Sequence, residues 1–134
     1  LEYEAKMRQQ NEIEQLCKNF QHYLSQQNQE ERSIANVAII FYMSFFKSPP
    51  QSKNEFSILY NWIDDFKLLV PKLPKFTHYQ IRIIIYWIFS TENRWSSIIK
   101  SPSLLYKYFS YIAHEASLDK EYLSLYQDKD IKWW

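Results

Sequence analysis

Apolar residues recur every three or four positions through most of the chain, which is the spacing of an amphipathic α-helix. The first such stripe, in a segment rich in Gln, Glu and Asn, comprises Ile13, Leu16, Cys17, Phe20, Tyr23 and Leu24. A second run, from Ile34 to Phe45, is apolar almost all round, which is typical of a central buried helix. No strand-like alternation of apolar and polar residues persists anywhere.

Further helical stripes follow in the second half of the chain. The pattern predicts helices over residues 54–70 and from Thr77 through Ile88, then a short apolar turn at Ile98-Ile99. Another strong helix starts at Ser101-Pro102, and a weaker one is expected around residues 122–126. The sequence therefore predicts an all-α fold.

The connections between these helices contain no glycine, and neither does the rest of the chain. At the usual frequency of about 7%, a chain of this length would hold roughly nine glycines. Proline and capping residues take their place, at Pro49-Pro50, at Pro71 and Pro74, at Thr77 with Gln80, and at Ser101-Pro102. We therefore expect one compact bundle of about five to seven helices with proline- and serine-capped connections.

A chain of 134 residues is the size of one domain. Three parts are expected within it: an N-terminal helical pair (1–52), a central region (53–117) and a short C-terminal helix or tail (118–134). The longest apolar stretch, residues 35–46, is shorter than the roughly 18 residues of a membrane span, so no membrane association is predicted. Since the first residue is Leu1 rather than Met, we expect an excised domain.

The missing glycines also exclude several kinds of catalytic and nucleotide site. A P-loop, a GxGxxG turn, an EF-hand loop and a GxSxG elbow all require glycine. His22, His78 and His114 are far apart, and Cys17 is the single cysteine, so neither a metal site nor an intramolecular disulfide is predicted. No serine or cysteine has a recognisable base beside it. We therefore predict a non-enzymatic cytoplasmic protein without metal or cofactor.

The charge is unevenly distributed although the net charge is only +1. Between Lys67 and Lys107 there are seven basic residues and one acidic residue, which leaves a local excess of +6. Cations interleaved with aromatic rings are typical of surfaces that bind single-stranded nucleic acid. The residues of this stretch that we predict to bind nucleic acid are Lys72, Lys75, Arg82, Arg94, Trp95, Lys100, Tyr106 and Lys107. The alternative is that the lysines only face water and that Trp95 anchors a loop.

Three segments of this region also follow one another in a characteristic order. They are Trp62-Ile63-Asp64-Asp65-Phe66-Lys67-Leu68-Leu69, then Thr77-His78-Tyr79-Gln80-Ile81 with Ile84 and Trp87, then Trp95-Ser96-Ser97-Ile98-Ile99-Lys100-Ser101-Pro102-Ser103-Leu104-Leu105 with Phe109. Together they resemble a helical domain found near the C-terminus of phage and plasmid replication proteins. The match covers roughly residues 55 to 113.

In that family, a tryptophan-containing helix ending in "dkLirl" is followed by "tpeqIrxvIdW" and then by "dxFWrxnIlSpxkLrxxFdkL". The present chain has Arg94 where the family commonly has Phe, and Tyr106 where a basic residue is common. Family members often carry a winged-helix DNA-binding domain upstream. The resemblance implies a role in replication initiation, with DNA and the replicative helicase or another replisome protein as partners.

A second interpretation is a protein-interaction or dimerisation module that binds no nucleic acid. Its basis is the narrow stripe from Ile13 to Leu24, preceded by an extension that contains few apolar residues besides Leu1, Tyr3 and Met7. In this interpretation the N-terminal helix packs against a partner or forms a homodimer.

Overall fold

The computed structural model describes residues 1–120 and Ser124, and this part of the chain is all-α, as predicted. Its elements are α1 (Glu2–Ser25), α2 (Gln29–Phe46), α3 (Lys53–Leu69), a 3-10 turn (Val70–Lys72), α4 (His78–Ser90), α5 (Trp95–Ile98) and α6 (Pro102–Ser117). Six α-helices in the described part agree with the expected number. The weaker helix predicted around residues 122–126 lies outside the described residues.

Side-chain caps start four of the helices. Thr77 and Gln80 form the predicted capping box of α4, and the Ser101 hydroxyl accepts a hydrogen bond from the Leu104 amide at the start of α6. Ser52 caps α3 in the same way. Asn28 and Glu31 form a second capping box at α2, which the sequence analysis overlooked. These caps fix where α2, α3, α4 and α6 begin without help from glycine.

The central helix is α2, as its all-round apolar pattern predicts. Its buried residues pack against α3 on one side and α4 on the other, and Val37, Ala38 and Phe41 are completely buried. Trp87 of α4 also lies in the core, where its indole Nε1 donates a hydrogen bond to Asp119 over 2.8 Å. No helix in the described part of the chain is long and apolar enough to cross a bilayer.

The long helix α1 is attached through its second half. Phe20 and Tyr23 pack edge-on against Tyr60 of α3, with ring centroids 5.6 and 5.1 Å apart. Lys67 of α3 adds a polar connection, because its Nζ donates to Gln27 Oε1 at 2.7 Å. None of the residues of α1 is fully buried. Residues 1–12 are all exposed.

Lys47 ends α2 in a conformation that usually requires glycine. Its φ of 62° and ψ of 16° place it in the left-handed region, and it is the single residue with positive φ that the structure describes. For a residue with a Cβ this conformation costs roughly 1–2 kcal/mol. The side chain offsets part of that cost, because Nζ donates to the Phe89 carbonyl of α4 at 2.7 Å and lies 5.8 Å from the Phe89 ring.

The backbone strain at Lys47 can be measured by comparing Lys47→Gly with Lys47→Ala. Both variants lose the contacts with Phe89, but only glycine relieves the left-handed backbone, so we expect Lys47→Gly to be more stable by about 1 kcal/mol in urea unfolding. The control pair is Asn61→Gly and Asn61→Ala, at an exposed position within α3. There Asn61→Ala should be the more stable variant, because glycine destabilises the interior of a helix. Equal stabilities at position 47 would contradict this interpretation.

Tyr42 is completely buried in the core, and no described group forms a hydrogen bond with its hydroxyl. Its ring packs against Phe46 with centroids 4.5 Å apart. Burial raises the pKa of Tyr42 from its usual value of 10.0, and the nearby Glu55 carboxylate raises this pKa further. Burial likewise raises the pKa of Tyr60. The folded state therefore holds both phenols neutral at a pH at which the unfolded chain begins to ionise them.

We expect stability to fall as the pH rises above about 10, because the unfolded chain releases the Tyr42 proton before the folded protein does. This contribution is fully present below the ordinary tyrosine pKa and is lost as the pH rises through the raised pKa. Tyr42→Phe should reduce the alkaline loss of the urea midpoint, whereas Tyr3→Phe, at an exposed position, should not. At neutral pH, Tyr42→Phe should cost little, since no hydrogen bond is removed.

Candidate nucleic-acid interface

The outward side of α6 carries two of the predicted binding residues. Leu105, Phe109 and Ile112 point into the core, and this inward stripe leaves Tyr106 and Lys107 exposed. Lys72, at the end of the 3-10 turn, places its Nζ 5.9 Å from the centre of the Tyr106 ring. This is a cation–π contact between an exposed lysine and an exposed tyrosine.

The loop before α4 brings a third cation to the same side. Phe76 packs edge-on against Phe109 of α6, with ring centroids 4.8 Å apart. Lys75 is exposed and is the neighbour of Phe76 in the chain, so its backbone lies close to α6. We use the name α6 face for the surface formed by four of the eight predicted residues, which are Lys72, Lys75, Tyr106 and Lys107.

Lys107 lies over a second tyrosine ring. Its Nζ is 5.3 Å from the centre of the Tyr108 ring, and this ring in turn packs against Trp95 of α5 at 5.6 Å. Trp95 is only 5% exposed, and its indole Nε1 donates to Glu115 Oε2 over 2.7 Å. The prediction that Trp95 stacks on nucleic acid is not supported, because the ring anchors α5 to α6.

Arg94 is exposed, but its charge is compensated within the protein. Its guanidinium forms an ion pair with the same Glu115 carboxylate that binds Trp95. The guanidinium carbon also lies 4.7 Å from the centre of the Trp95 ring. Arg94 is therefore a weaker candidate for phosphate binding than the charge count alone indicates.

The two remaining predicted residues lie on other elements. Arg82 is on α4, 6.0 Å from the Tyr79 ring; burial lowers its pKa, and the Tyr79 charge opposes this shift. Lys100 precedes α6 and lies 5.8 Å from the ring of Phe45, at the end of α2. In the described structure, four of the eight predicted residues thus belong to the α6 face. Of the others, Trp95 is buried, Arg94 forms an ion pair, and Arg82 and Lys100 lie on other elements.

The structure also joins a serine to a histidine, which the sequence analysis overlooked. Ser33 of α2 and His78 of α4 are 45 positions apart in the chain, and Ser33 Oγ lies 2.6 Å from His78 Nδ1. His78 is the first residue of α4 and Ser33 is the fifth residue of α2, so the hydrogen bond links the N-terminal parts of the two helices. Among the described residues, no group of three or more His, Cys, Asp or Glu side chains could hold a metal ion.

Comparisons with protein-family models, with curated proteins and with solved structures return no match for this chain.

The Glu115 carboxylate is predicted to hold α5 against α6. Glu115→Ala should lower the free energy of unfolding by about 1–3 kcal/mol, because it leaves the buried Trp95 N–H without an acceptor. Glu115→Gln keeps an acceptor oxygen and should lose less. Glu92→Ala, at an exposed position, is the control and should change stability by less than about 0.5 kcal/mol. If all three variants unfold at the same urea concentration, this role is excluded.

Proposed function

We propose that this chain is a non-enzymatic helical domain that binds single-stranded DNA through the α6 face, in the setting of replication initiation. The observation that carries the proposal is the pairing of Lys72 with exposed Tyr106, beside Lys107 on the same helix. Lysines of this kind neutralise phosphates, and an exposed tyrosine ring offers a surface on which an unpaired base stacks.

Charge on the α6 face supports the same proposal. Lys72, Lys75 and Lys107 are exposed. Unlike Arg94, none of them forms an ion pair within the part of the chain that the structure describes. An aromatic ring under an ammonium group orients it but leaves its positive charge intact. The face therefore presents two of its cations, Lys72 and Lys107, beside tyrosine rings, which suits a flexible strand with exposed bases.

The preference for single strands follows from the tyrosines. In a duplex the bases are stacked on one another, so a side chain on a convex helix face reaches mainly phosphates. In a single strand each base has a free face, and stacking on an aromatic side chain contributes about 1–3 kcal/mol per base. We therefore expect oligothymidylate to bind more tightly than a duplex of the same length at equal salt.

The test is fluorescence anisotropy with a labelled oligothymidylate about 20 nucleotides long, a length that exceeds typical single-strand site sizes. Lys72→Glu combined with Lys107→Glu should reduce affinity by about tenfold or more and lower the salt slope by about 1.4 in log–log form, since each phosphate contact contributes roughly 0.7. Tyr106→Ala should weaken binding by about fivefold or more and leave the slope unchanged.

The matched control is Lys6→Glu combined with Lys18→Glu, which makes the same change of charge at exposed positions on α1. This variant should bind nearly as well as the original protein. If both double variants lose affinity equally, binding reflects net charge rather than the α6 face. If the original protein shows no salt-dependent binding, the proposal fails.

The alternative function, a dimerisation module, also has one observation in its favour. Tyr3 and Met7 are four residues apart on α1 and are 74% and 43% exposed. Residues at this spacing lie on one side of a helix, where a second helix could cover them. Absence of oligonucleotide binding together with a mass that rises with concentration in sedimentation would favour this alternative.

A further inference from the structure

A cleft between α2 and α4 lies outside the α6 face. It has a volume of about 310 Å³ and is lined by Ile40, Met43, Ser44, Lys47, Tyr86, Phe89 and Ser90. This volume is at the lower end of the range for small-ligand clefts, roughly 300–1,000 Å³. The cleft therefore has room for one large side chain rather than for a nucleotide cofactor.

Three residues of the cleft lining favour an apolar occupant. Ile40 and Met43 come from α2, and the partly buried Phe89 ring comes from α4. Aliphatic and thioether side chains of this kind favour apolar groups and adapt to their shape. Ser44, Tyr86 and Ser90 add hydroxyl groups to the rest of the lining.

The charge at the rim adds a second requirement. Lys47 is the one charged residue of the lining, and Lys100 lies nearby over Phe45, which itself packs against Phe89 at 5.9 Å. No Asp or Glu is part of the described lining. An occupant that carries negative charge next to its apolar group therefore complements this site.

Lys47 is also held in position before any partner arrives. Its Nζ donates one of its three N–H groups to the Phe89 carbonyl. Its backbone has the left-handed conformation, at a position where glycine is the usual residue. A cation fixed in this way loses little conformational entropy when it pairs with a carboxylate.

We propose that the α2–α4 cleft binds an acidic peptide segment of a protein partner, with one apolar side chain of the peptide in the cleft and a neighbouring carboxylate on Lys47. The site requires no nucleic acid and does not depend on the proposed function of the α6 face. In a segment of this kind, acidic residues flank a large apolar residue, so the apolar side chain can enter the cleft while a carboxylate next to it pairs with Lys47.

The test uses a fluorescein-labelled peptide of sequence Asp-Glu-Asp-Leu-Phe-Asp-Glu-Asp and the full chain, with anisotropy as the readout. Ser90→Trp places a bulky side chain in the cleft from an exposed position and should weaken binding by about tenfold or more. Lys47→Gln keeps a donor for the Phe89 carbonyl but removes the charge, and should weaken binding by about fivefold.

Two matched variants at exposed positions of α3, Asn61→Trp and Lys53→Gln, should bind the peptide like the original protein. Peptides in which Leu and Phe are replaced by Ala, or in which all acidic residues are replaced by their amides, should bind at least about tenfold more weakly. Thermal unfolding of each variant checks that the fold is retained.

Three outcomes would overturn the inference: unchanged binding by Ser90→Trp, equal binding of the amide peptide, or no binding of the acidic peptide by the original protein. A fourth outcome would assign the cleft to nucleic acid instead: oligothymidylate displaces the peptide, and Lys47→Gln loses affinity for oligothymidylate.

The two proposals can fail independently of each other. Lys72→Glu combined with Lys107→Glu should leave peptide binding intact, so failure of the α6-face proposal is distinguishable from failure of this one.

Discussion

The position of every other helix depends on the burial of α2 between α3 and α4. Val37, Ala38 and Phe41 are completely buried, and burial of one large apolar side chain of this kind contributes roughly 1.5–3 kcal/mol. Because α2 is apolar almost all round, two helices are needed to cover it. Helix α6 then packs on α3 and α4, which leaves one side of α6 facing water. The candidate DNA-binding surface is thus a consequence of how the core is closed.

The absence of glycine places a second constraint on the same core. Each helix must end without the residue that adopts positive φ at least cost, and five of the six described α-helices end at a residue in a right-handed helical or extended conformation. At the end of α2 the chain instead keeps Lys47 in the left-handed region and uses its side chain to bind the Phe89 carbonyl. A glycine there would relax the backbone but would remove the cation from the rim of the α2–α4 cleft. The compositional peculiarity and the geometry of this cleft are therefore linked.

The sequence reveals helix starts well because the signals are local. Thr77 with Gln80 and Ser101 with Pro102 are confirmed as caps, and the Asn28 and Glu31 box has the same spacing and could have been found. The environment of Trp95 could not be predicted from the sequence in this way. Its hydrogen-bond acceptor, Glu115, is 20 residues away and becomes a neighbour only when α5 folds against α6. The contact of Lys100 with Phe45 likewise depends on tertiary packing. Local patterns thus predict the elements, whereas pairing between distant side chains decides which predicted residues remain available.

The same distinction changes the meaning of the local charge excess. A sum over residues 67–107 counts every cation equally, but Lys67 and Arg94 form ion pairs with Glu31 and Glu115. Lys72 and Lys107 lie over tyrosine rings instead, and a ring orients a cation without cancelling its charge. Among the described cation–ring contacts of this region, the one at Lys72 joins an exposed cation to an exposed ring, that of Tyr106. On physical grounds, that coincidence is more informative about binding than the total charge, because a phosphate strand needs both uncompensated cations and surfaces for its bases.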